Sequence, residues 1–468
     1  MFKRILIANR GEIAVRVIRA CQEMGIETVA VYSDADKNAM HVQLADLTYN
    51  IGPADASQSY LNMDALLEAA KATKAEAVHP GYGFLSESSE FAERVTNAGL
   101  TWIGPLAETI RQVGDKDIAR AAMLPSGIPM SKGSDPLTSE SHAIEAAKEV
   151  GYPVILKPVA GGGGKGMFVA HSEEDLKNIL QIVNLQSIKF YFEHYIEHSR
   201  HIEVQIVADN YGTVIHLGER ECSLQRRNQK LLEESPSIGL SPDMREKIGA
   251  LAIKAAKSIH YTNIGTVEFL FDLSNNEFYF MEINPRIQVE HAITEEVTGI
   301  DLVRTQIHIA SGEPLSLSQK DIEFHGHAIE CRINAEDPDN NFLPSPGKIE
   351  FYHEPGGPRI RVDSGISAGL SIEPDYDSLM AKVVVHGRTR GDAIKIMQRA
   401  LNEFKVEGVK TTISLHKRIL EDTSFCTGDI DTQFIKKRLP AYEQTPPKRK
   451  LKDKMDLAAL INSSMYYA

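Results

Sequence analysis

Glu282-Ile-Asn-Pro-Arg-Ile-Gln-Val-Glu290 is the stretch that decides how this chain is read. Its alternate positions are Glu282, Asn284, Arg286, Gln288 and Glu290, separated by Ile283, Pro285, Ile287 and Val289. Alternation is the period of a β-strand, so the run is expected to present one polar face and pack the other. It begins in an apolar context, Phe278-Tyr-Phe-Met281, which predicts at least partial burial. Buried carboxylates and guanidinium groups need partners or ligands. Acid, amide, cation, amide and acid in one row can together hold a metal, an anion and a proton.

A second acidic strand lies just upstream. Thr266-Val-Glu-Phe-Leu-Phe-Asp272 reads as a strand, and Ser274-Asn-Asn-Glu277 supplies turn residues. In a hairpin centred near Asn275, Glu268 falls opposite Glu282. Two carboxylates at cross-strand distance repel unless a cation lies between them. Glu268, Glu282 and Asn284 offer the oxygen ligands that Mg²⁺ or Mn²⁺ prefers, with substrate phosphates completing the shell. A surface pair on a solvated hairpin is the alternative.

With 468 residues the chain exceeds one ordinary core, so two to four domains are expected. Its 42% hydrophobic and 25% charged residues are globular values. A net charge of -13 disfavours non-specific nucleic-acid binding, although a local basic pocket can still hold phosphates. The four cysteines, Cys21, Cys222, Cys331 and Cys426, are scattered without a CxxC pair, as expected of reduced thiols in a cytoplasmic protein. No apolar run reaches membrane-spanning length.

Residues 1 to about 113 alternate strand and helix: strands at Arg4 to Ala8, Glu27 to Tyr32, Ala75 to His79 and Leu100 to Ile103; helices at Glu12 to Met24, Met63 to Lys71 and Ser86 to Ala98. Such alternation predicts a parallel sheet covered by helices. Asn9-Arg-Gly-Glu12 lacks the dinucleotide GxGxxG, whereas His79-Pro-Gly-Tyr-Gly-Phe84 is a glycine-punctuated loop at a strand's C-terminal end, where open α/β sheets bind ligands. Residues from about 130 to 198 read as a small lid. A strand at Pro153 to Lys157 and another at Met167 to Ala170 flank Ala160-Gly-Gly-Gly-Gly-Lys-Gly166, whose amides can cradle phosphate. Glu219 to Lys230 is densely polar and reads, charge by charge, as a solvated loop. Glu330, Arg332 and Asn334 form another alternating polar strand face within a unit spanning 325–435. His194, His198 and His201 span the end of one strand and the start of the next, which disfavours a zinc site. The tail, 440–468, carries Lys448-Arg-Lys-Leu-Lys-Asp-Lys454 and reads as an appendage.

Taken together these residues resemble the ATP-grasp enzymes and, within them, biotin carboxylase. The resemblance runs over residues 1 to about 440. Its motifs are Ile7-Ala-Asn-Arg-Gly-Glu-Ile-Ala14, His79-Pro-Gly-Tyr-Gly-Phe-Leu-Ser86, Gly114-Asp-Lys116, Gly161-Gly-Gly-Gly-Lys-Gly-Met167, Arg200-His-Ile-Glu-Val-Gln205, Gln225-Arg-Arg-Asn-Gln-Lys230, Arg286-Ile-Gln-Val-Glu-His291 and Glu330-Cys-Arg-Ile-Asn-Ala-Glu-Asp-Pro338. It implies an α/β and α+β fold: an N-terminal parallel-sheet domain (1–113), an ATP-grasp domain (114–312) with a mobile lid, and a C-terminal biotin carboxylase domain (325–435).

The resemblance also implies site roles. Lys116 and Lys157, with amides near Gly163 and Gly164, would contact ATP phosphates. Glu193, His194, Tyr195, Ile196, His201, Gln225 and Asn228 would hold adenine and ribose, with Glu268 and Glu282 completing the nucleotide site. Glu268, Glu282 and Asn284 would hold Mg²⁺ or Mn²⁺. Lys230, Arg286, Gln288 and Val289 would bind bicarbonate, Glu290 would act as general base, and Arg332 would stabilise the biotin enolate. The implied cofactors are ATP, the metal and biotin on a separate carrier protein, because no Ala-Met-Lys-Met motif and no acyl-transferase half occur here. The implied partners are that biotin carboxyl carrier protein and a carboxyltransferase subunit, of pyruvate or acetyl-CoA type. A homodimer is expected. Three departures stand out: His194 in place of the family's usual Lys, a shortened 176–193 segment, and Leu124-Pro-Ser126. Another ATP-grasp ligase, or a nucleotide-binding paralogue without turnover, are the competing readings.

Overall fold

The computed structural model describes residues 1–159, 166–185 and 188–440, with the backbone but not the side chains of 116 and 117. Gly163, Gly164, the Lys116 side chain and the tail from 441 therefore lie outside the described residues.

The N-terminal unit is a five-stranded parallel sheet. Its order is Leu47–Gly52, Glu27–Ser33, Arg4–Ile7, Ala77–His79, Thr101–Trp102. The first strand in sequence thus lies in the middle, and chain direction across the sheet switches between it and Ala77–His79. Loops that leave both strands at this switch point diverge and open a crevice. Asn9 ties them together, donating from Nδ2 to the carbonyls of Pro80 and Tyr82, both at 2.7 Å. The strand Leu47–Gly52 was not expected from sequence, because its Tyr49-Asn-Ile-Gly52 mixes strand and turn residues at a sheet edge. Helix Ser89–Asn97 begins three residues later than its periodicity suggested. Ser88 caps it by accepting from the Phe91 amide at 3.1 Å, which leaves Glu87 outside the helix.

An eight-stranded antiparallel sheet forms the body. Its order is Glu277–Asn284, Asn263–Asp272, Ser199–Ala208, Val214–Arg226, Gln229–Ser235, His327–Asn334, Leu379–Gly387, Ile360–Ser364. The segments 114–312 and 325–435 share this one sheet, joined where Leu232 to Ser235 pairs with Ala328 to Cys331. A third, three-stranded sheet (Phe168–Ala170, Val154–Pro158, Phe190–His194) carries helices Glu140–Val150 and Glu173–Ile182, capped by Ser139 and Ser172. Its own small core includes Leu137, Val154, Leu156, Leu176, Phe190 and Phe192. This core is separate from those of the other two sheets.

The N-terminal unit is fastened to the large sheet by apolar contact. Ile5, Ile7, Ile13 and Val17 pack with Val207, Ile215, Ile264 and Ile287 in one continuous cluster. Burying side chains of this size stabilises by about 1.5–3 kcal/mol each, so the interface is not a loose hinge.

Two expectations need correction. The run Glu282 to Glu290 is not one strand: the ladder ends at Asn284, and 285–290 is a loop leading into helix His291–Thr298. Pro285 lacks the amide needed to extend the ladder. The alternation has another cause, since Ile287 plugs the apolar cluster while Arg286 and Gln288 turn the other way. Nor is Glu219 to Lys230 a solvated loop. It forms the hairpin Val214–Arg226 and Gln229–Ser235, with Arg227 and Asn228 at φ 50 and 65 in a two-residue turn of the kind that suits Asn. Glu219, Arg220 and Glu221 are fully buried, each with a charged partner.

Candidate active site

The site lies where the large sheet meets the crevice of the N-terminal unit. Glu268 and Glu282 are cross-strand partners, as the hairpin reading predicted, so both carboxylates project from one face. Lys230, at the start of strand Gln229–Ser235, reaches three acids with one ammonium: Glu203 Oε2 at 2.5 Å, Glu290 Oε1 at 2.6 Å and Glu268 Oε1 at 2.9 Å. Burial alone would lower its pKa, but these carboxylates raise it well above the usual lysine value.

Glu290 is fully buried. Its second oxygen accepts from Arg332 Nη2 at 2.8 Å. Burial would raise this carboxyl, yet Lys230 and Arg332 hold it well below the ordinary carboxylate range. Arg332 is itself oriented by Glu233, whose Oε1 accepts from its Nε at 2.6 Å. Arg286 is held by Glu87 through Nε at 2.6 Å and by Gln288 Oε1 through Nη1 at 2.9 Å. Glu87, read from sequence as a helix-start residue, is thus the orienting group for Arg286.

The three residues expected to hold a metal are neighbours, Glu268 facing Glu282 across the hairpin. Glu268 Oε1 also accepts from Asn284 Nδ2 at 2.9 Å, so an amide stands beside the facing carboxylates and can offer its carbonyl oxygen instead. Two carboxylates and an amide oxygen suit a hard divalent cation. His201, Glu203 and Glu268 also place one potential ligand atom each within 4.8 Å of one another. His201 lies 3.0 Å from Glu268 Oε2 through Nε2 and 2.7 Å from Gln225 Nε2 through Nδ1. It therefore bridges two residues assigned separately from sequence.

The lid contributes Glu193. Its Oε2 accepts from Lys157 Nζ and from Ser131 Oγ, both at 2.9 Å, and Arg120 lies 3.3 Å from Oε1. Burial opposes ionisation, but Lys157 and Arg120 bring the pKa down to about 2. His194, next on the same strand, points to the opposite face, is exposed, and sits 3.0 Å from the Gly151 carbonyl through Nδ1. Tyr195 spends its hydroxyl on Gln433 Nε2 at 2.8 Å, and Ile196 is buried. The side chains of His194 and Tyr195 are therefore engaged elsewhere than beside Lys157.

Sequence reasoning missed Glu203, Arg220, Glu233 and Glu87. Arg220 is fully buried, donating to Glu203 Oε1 at 2.5 Å, Gln205 Oε1 at 2.7 Å, and the hydroxyls of Thr266 and Thr294 at 3.0 Å. It fixes Glu203 from below while Lys230 takes it from above. The detectable signal was Glu203-Val-Gln205, an acid and an amide alternating on a strand.

The chain was compared with known families and structures. Residues 1–110 match the biotin carboxylase N-terminal domain, 115–318 the ATP-binding domain of carbamoyl-phosphate synthase L chain, and 330–437 the biotin carboxylase C-terminal domain. Biotin carboxylase 1 of Bacillus subtilis is 53% identical over 442 residues, covering 93% of this chain and 98% of that protein. A pyruvate carboxylase subunit of Methanothermobacter thermautotrophicus is 50% identical over 444 residues, covering 93% and 90%. The biotin carboxylase domain dimer of Hydrogenobacter thermophilus 2-oxoglutarate carboxylase, solved with MgADP, ADP and bicarbonate, superimposes with a TM-score of 0.90. It is 47% identical and covers 95% of this chain and all of that one. Three domain matches in order, and about half the residues identical over nearly the full length, show that the chain belongs to the biotin carboxylase family.

Proposed function

We propose that this protein carries out the ATP- and bicarbonate-dependent carboxylation of biotin, the first half-reaction of a multisubunit carboxylase. The observation that supports this most directly is the pairing of Lys230 and Arg332 on one buried carboxylate, Glu290, beside Arg286 and the facing acids Glu268 and Glu282.

In this reading Lys157 binds the ATP phosphates together with Lys116, Gly163 and Gly164. Glu193, His194, Tyr195, Ile196, His201, Gln225 and Asn228 line the nucleoside end. His194 and Tyr195 would take part through their main chain, given where their side chains lie. Glu268, Glu282 and Asn284 would hold Mg²⁺, which when bound neutralises charge on the phosphates. Bicarbonate sits against Arg286, Lys230, Gln288 and the Val289 amide; a planar guanidinium suits a planar anion.

Glu290 takes the bicarbonate proton. With two cations at hydrogen-bond distance its resting proton affinity is low. An anion that shares Lys230 and Arg332 weakens their hold and makes the carboxylate a better base as substrate arrives. The freed oxygen attacks the γ-phosphorus, forming an O–P bond as the bond to ADP breaks. The carboxyphosphate then cleaves to CO₂ and phosphate. Phosphate would take the N1′ proton of biotin and N1′ would bond to CO₂, with Arg332 the residue that would stabilise the enolate.

We take the biotin to be borne by a carrier protein, with a transferase subunit completing the assembly, the chain working as a homodimer in the cytoplasm. The subunit name of the methanogen homologue supports a multisubunit assembly, and the dimeric Hydrogenobacter domain supports the homodimer. Among the described residues no helix is long and apolar enough to cross a membrane. We keep 1–113, 114–312 and 325–435 as its functional division. The test is phosphate release from Mg-ATP with bicarbonate, with and without free biotin. Bicarbonate-dependent, biotin-stimulated release is expected. Release that ignores biotin, free or on a carrier, would favour another ATP-grasp ligase.

A further inference from the structure

Lys382 belongs to none of the groups named above, yet it is fully buried in the middle of strand Leu379–Gly387. A buried ammonium is costly unless every proton finds an acceptor. Lys382 has three partners, from three different parts of the chain. Its Nζ donates to the Val289 carbonyl at 2.7 Å, lies 3.4 Å from Glu12 Oε1 and 3.7 Å from Asp363 Oδ2. Glu12 lies in the first turn of helix Gly11–Glu23 of the N-terminal unit and also accepts from the Tyr82 hydroxyl of the glycine-punctuated loop. Asp363 is the cross-strand neighbour of Lys382 and is otherwise clamped by Arg361. On its other side Lys382 is in register with Arg332.

The Val289 contact is the informative one. Val289 and Glu290 share the peptide unit whose carbonyl Lys382 holds. Residues 285–290 have no ladder to fix them, since the strand stops at Asn284. Ile287, in the apolar cluster, anchors the loop at one point; the Lys382 bond anchors it at a second, immediately before Glu290. The strand that carries Lys382 is paired with the strand that carries Arg332, so one rigid element sets both the loop and the cation that Glu290 meets.

We propose that Lys382 is a positioning residue for the carboxylation reaction: it holds the Val289 carbonyl so that Glu290 stays between Lys230 and Arg332. This rests on the function proposed above. Lys382 does not reach the reacting atoms and acts only through the loop.

The test compares Lys382→Met with the wild type, and Lys382→Met/Asp363→Asn with Asp363→Asn alone. The double variant removes a cation and an anion together, which guards against misfolding from an uncompensated buried charge. The expected result is a kcat for biotin-stimulated phosphate release on the order of 10²-fold lower in the double variant than in Asp363→Asn, as displacement of a catalytic group by about 1 Å produces. The KM for bicarbonate rises, while ADP binding, whose assigned residues Lys382 does not touch, is unchanged. Faster hydrogen exchange at the amides of residues 289–291 accompanies the loss. A double variant with the kcat and bicarbonate KM of Asp363→Asn, or with unchanged exchange at 289–291, overturns the proposal. So does a parallel loss of ADP affinity, which would mark a general structural role. The exchange comparison decides the matter even if the wild-type protein fails to carboxylate biotin. That failure, visible in the wild type alone, would count against the function and not against the role of Lys382 in holding the loop.

Discussion

Glu290→Gln should separate activity from stability. The carboxylate sits between Lys230 at 2.6 Å and Arg332 at 2.8 Å, with no exposed surface. Removing a buried charge commonly strands its partners at a cost of about 3–5 kcal/mol. Here neither partner is stranded. Lys230 keeps Glu203 at 2.5 Å and Glu268 at 2.9 Å, and Arg332 keeps Glu233 at 2.6 Å. Four carboxyl groups (Glu203, Glu233, Glu268, Glu290) face three cations (Lys230, Arg220, Arg332), so each cation keeps at least one acidic partner after the substitution, although burial raises Glu203 and Glu233 above the ordinary carboxyl value. The amide keeps an acceptor oxygen for one of the two cations, while its NH2 faces the other donor and forfeits that hydrogen bond. The expected change in folding stability is therefore about 1.5–3 kcal/mol, the scale of one hydrogen bond to a charged group. Loss of a general base costs about 10²- to 10⁴-fold in rate, or about 3–5 kcal/mol of barrier. Urea titration of both proteins reads the first quantity; coupled phosphate release at saturating Mg-ATP, bicarbonate and biotin reads the second. A variant that keeps more than about a tenth of the wild-type kcat would refute the base assignment. A stability loss of several kcal/mol would refute the reading of the site as a redundantly paired network.

Three further outcomes can be checked. Glu193 has a folded pKa of about 2 against 4.5 for an ordinary glutamate, which corresponds to about 3 kcal/mol. Because the folded value is depressed, this contribution is complete above pH 4.5 and fades as pH falls towards 2. Hydrogen exchange in the lid strands of the wild type should rise through that window, and Glu193→Gln should flatten the dependence. Arg332→Lys cannot reach both Glu233 and Glu290 as the guanidinium does through Nε and Nη2, so biotin-stimulated turnover should drop about 10- to 100-fold with ADP affinity intact; equal losses in both would contradict the placement of Arg332 away from the nucleotide. Finally, Cys21, Cys222 and Cys331 are buried and Cys426 is exposed, so a disulfide reagent should titrate one thiol per native chain and four after denaturation; rapid reaction of more than one would show that the packing around the other three opens readily.

Much of this arrangement was legible in the chain. Strand–helix alternation to residue 113 foretold the parallel sheet, and equal spacing about Asn275 foretold that Glu268 and Glu282 face each other. Both rest on local periodicity, which a sequence carries openly. The run 282–290 shows where periodicity misleads. A loop with one buried residue per two, pinned by Ile287, looks the same as a strand until Pro285 is given its weight.

What remained hidden was long-range pairing. Glu219-Arg-Glu221 looks like a solvated face because each charge, taken alone, belongs in water. Arg200 and Arg220, and the acids that meet them, become interior groups only when the hairpin is inserted between two other strands. Glu87 meets Arg286 across 199 positions, and Lys382 meets Val289 across 93. Residue type and short-range spacing set donor, acceptor and charge, and were enough to name the side chains that can do the chemistry. Which of them are buried together depends on pairing between distant strands, and burial is what turns scattered charges into one network in which each group sets the proton affinity of the next.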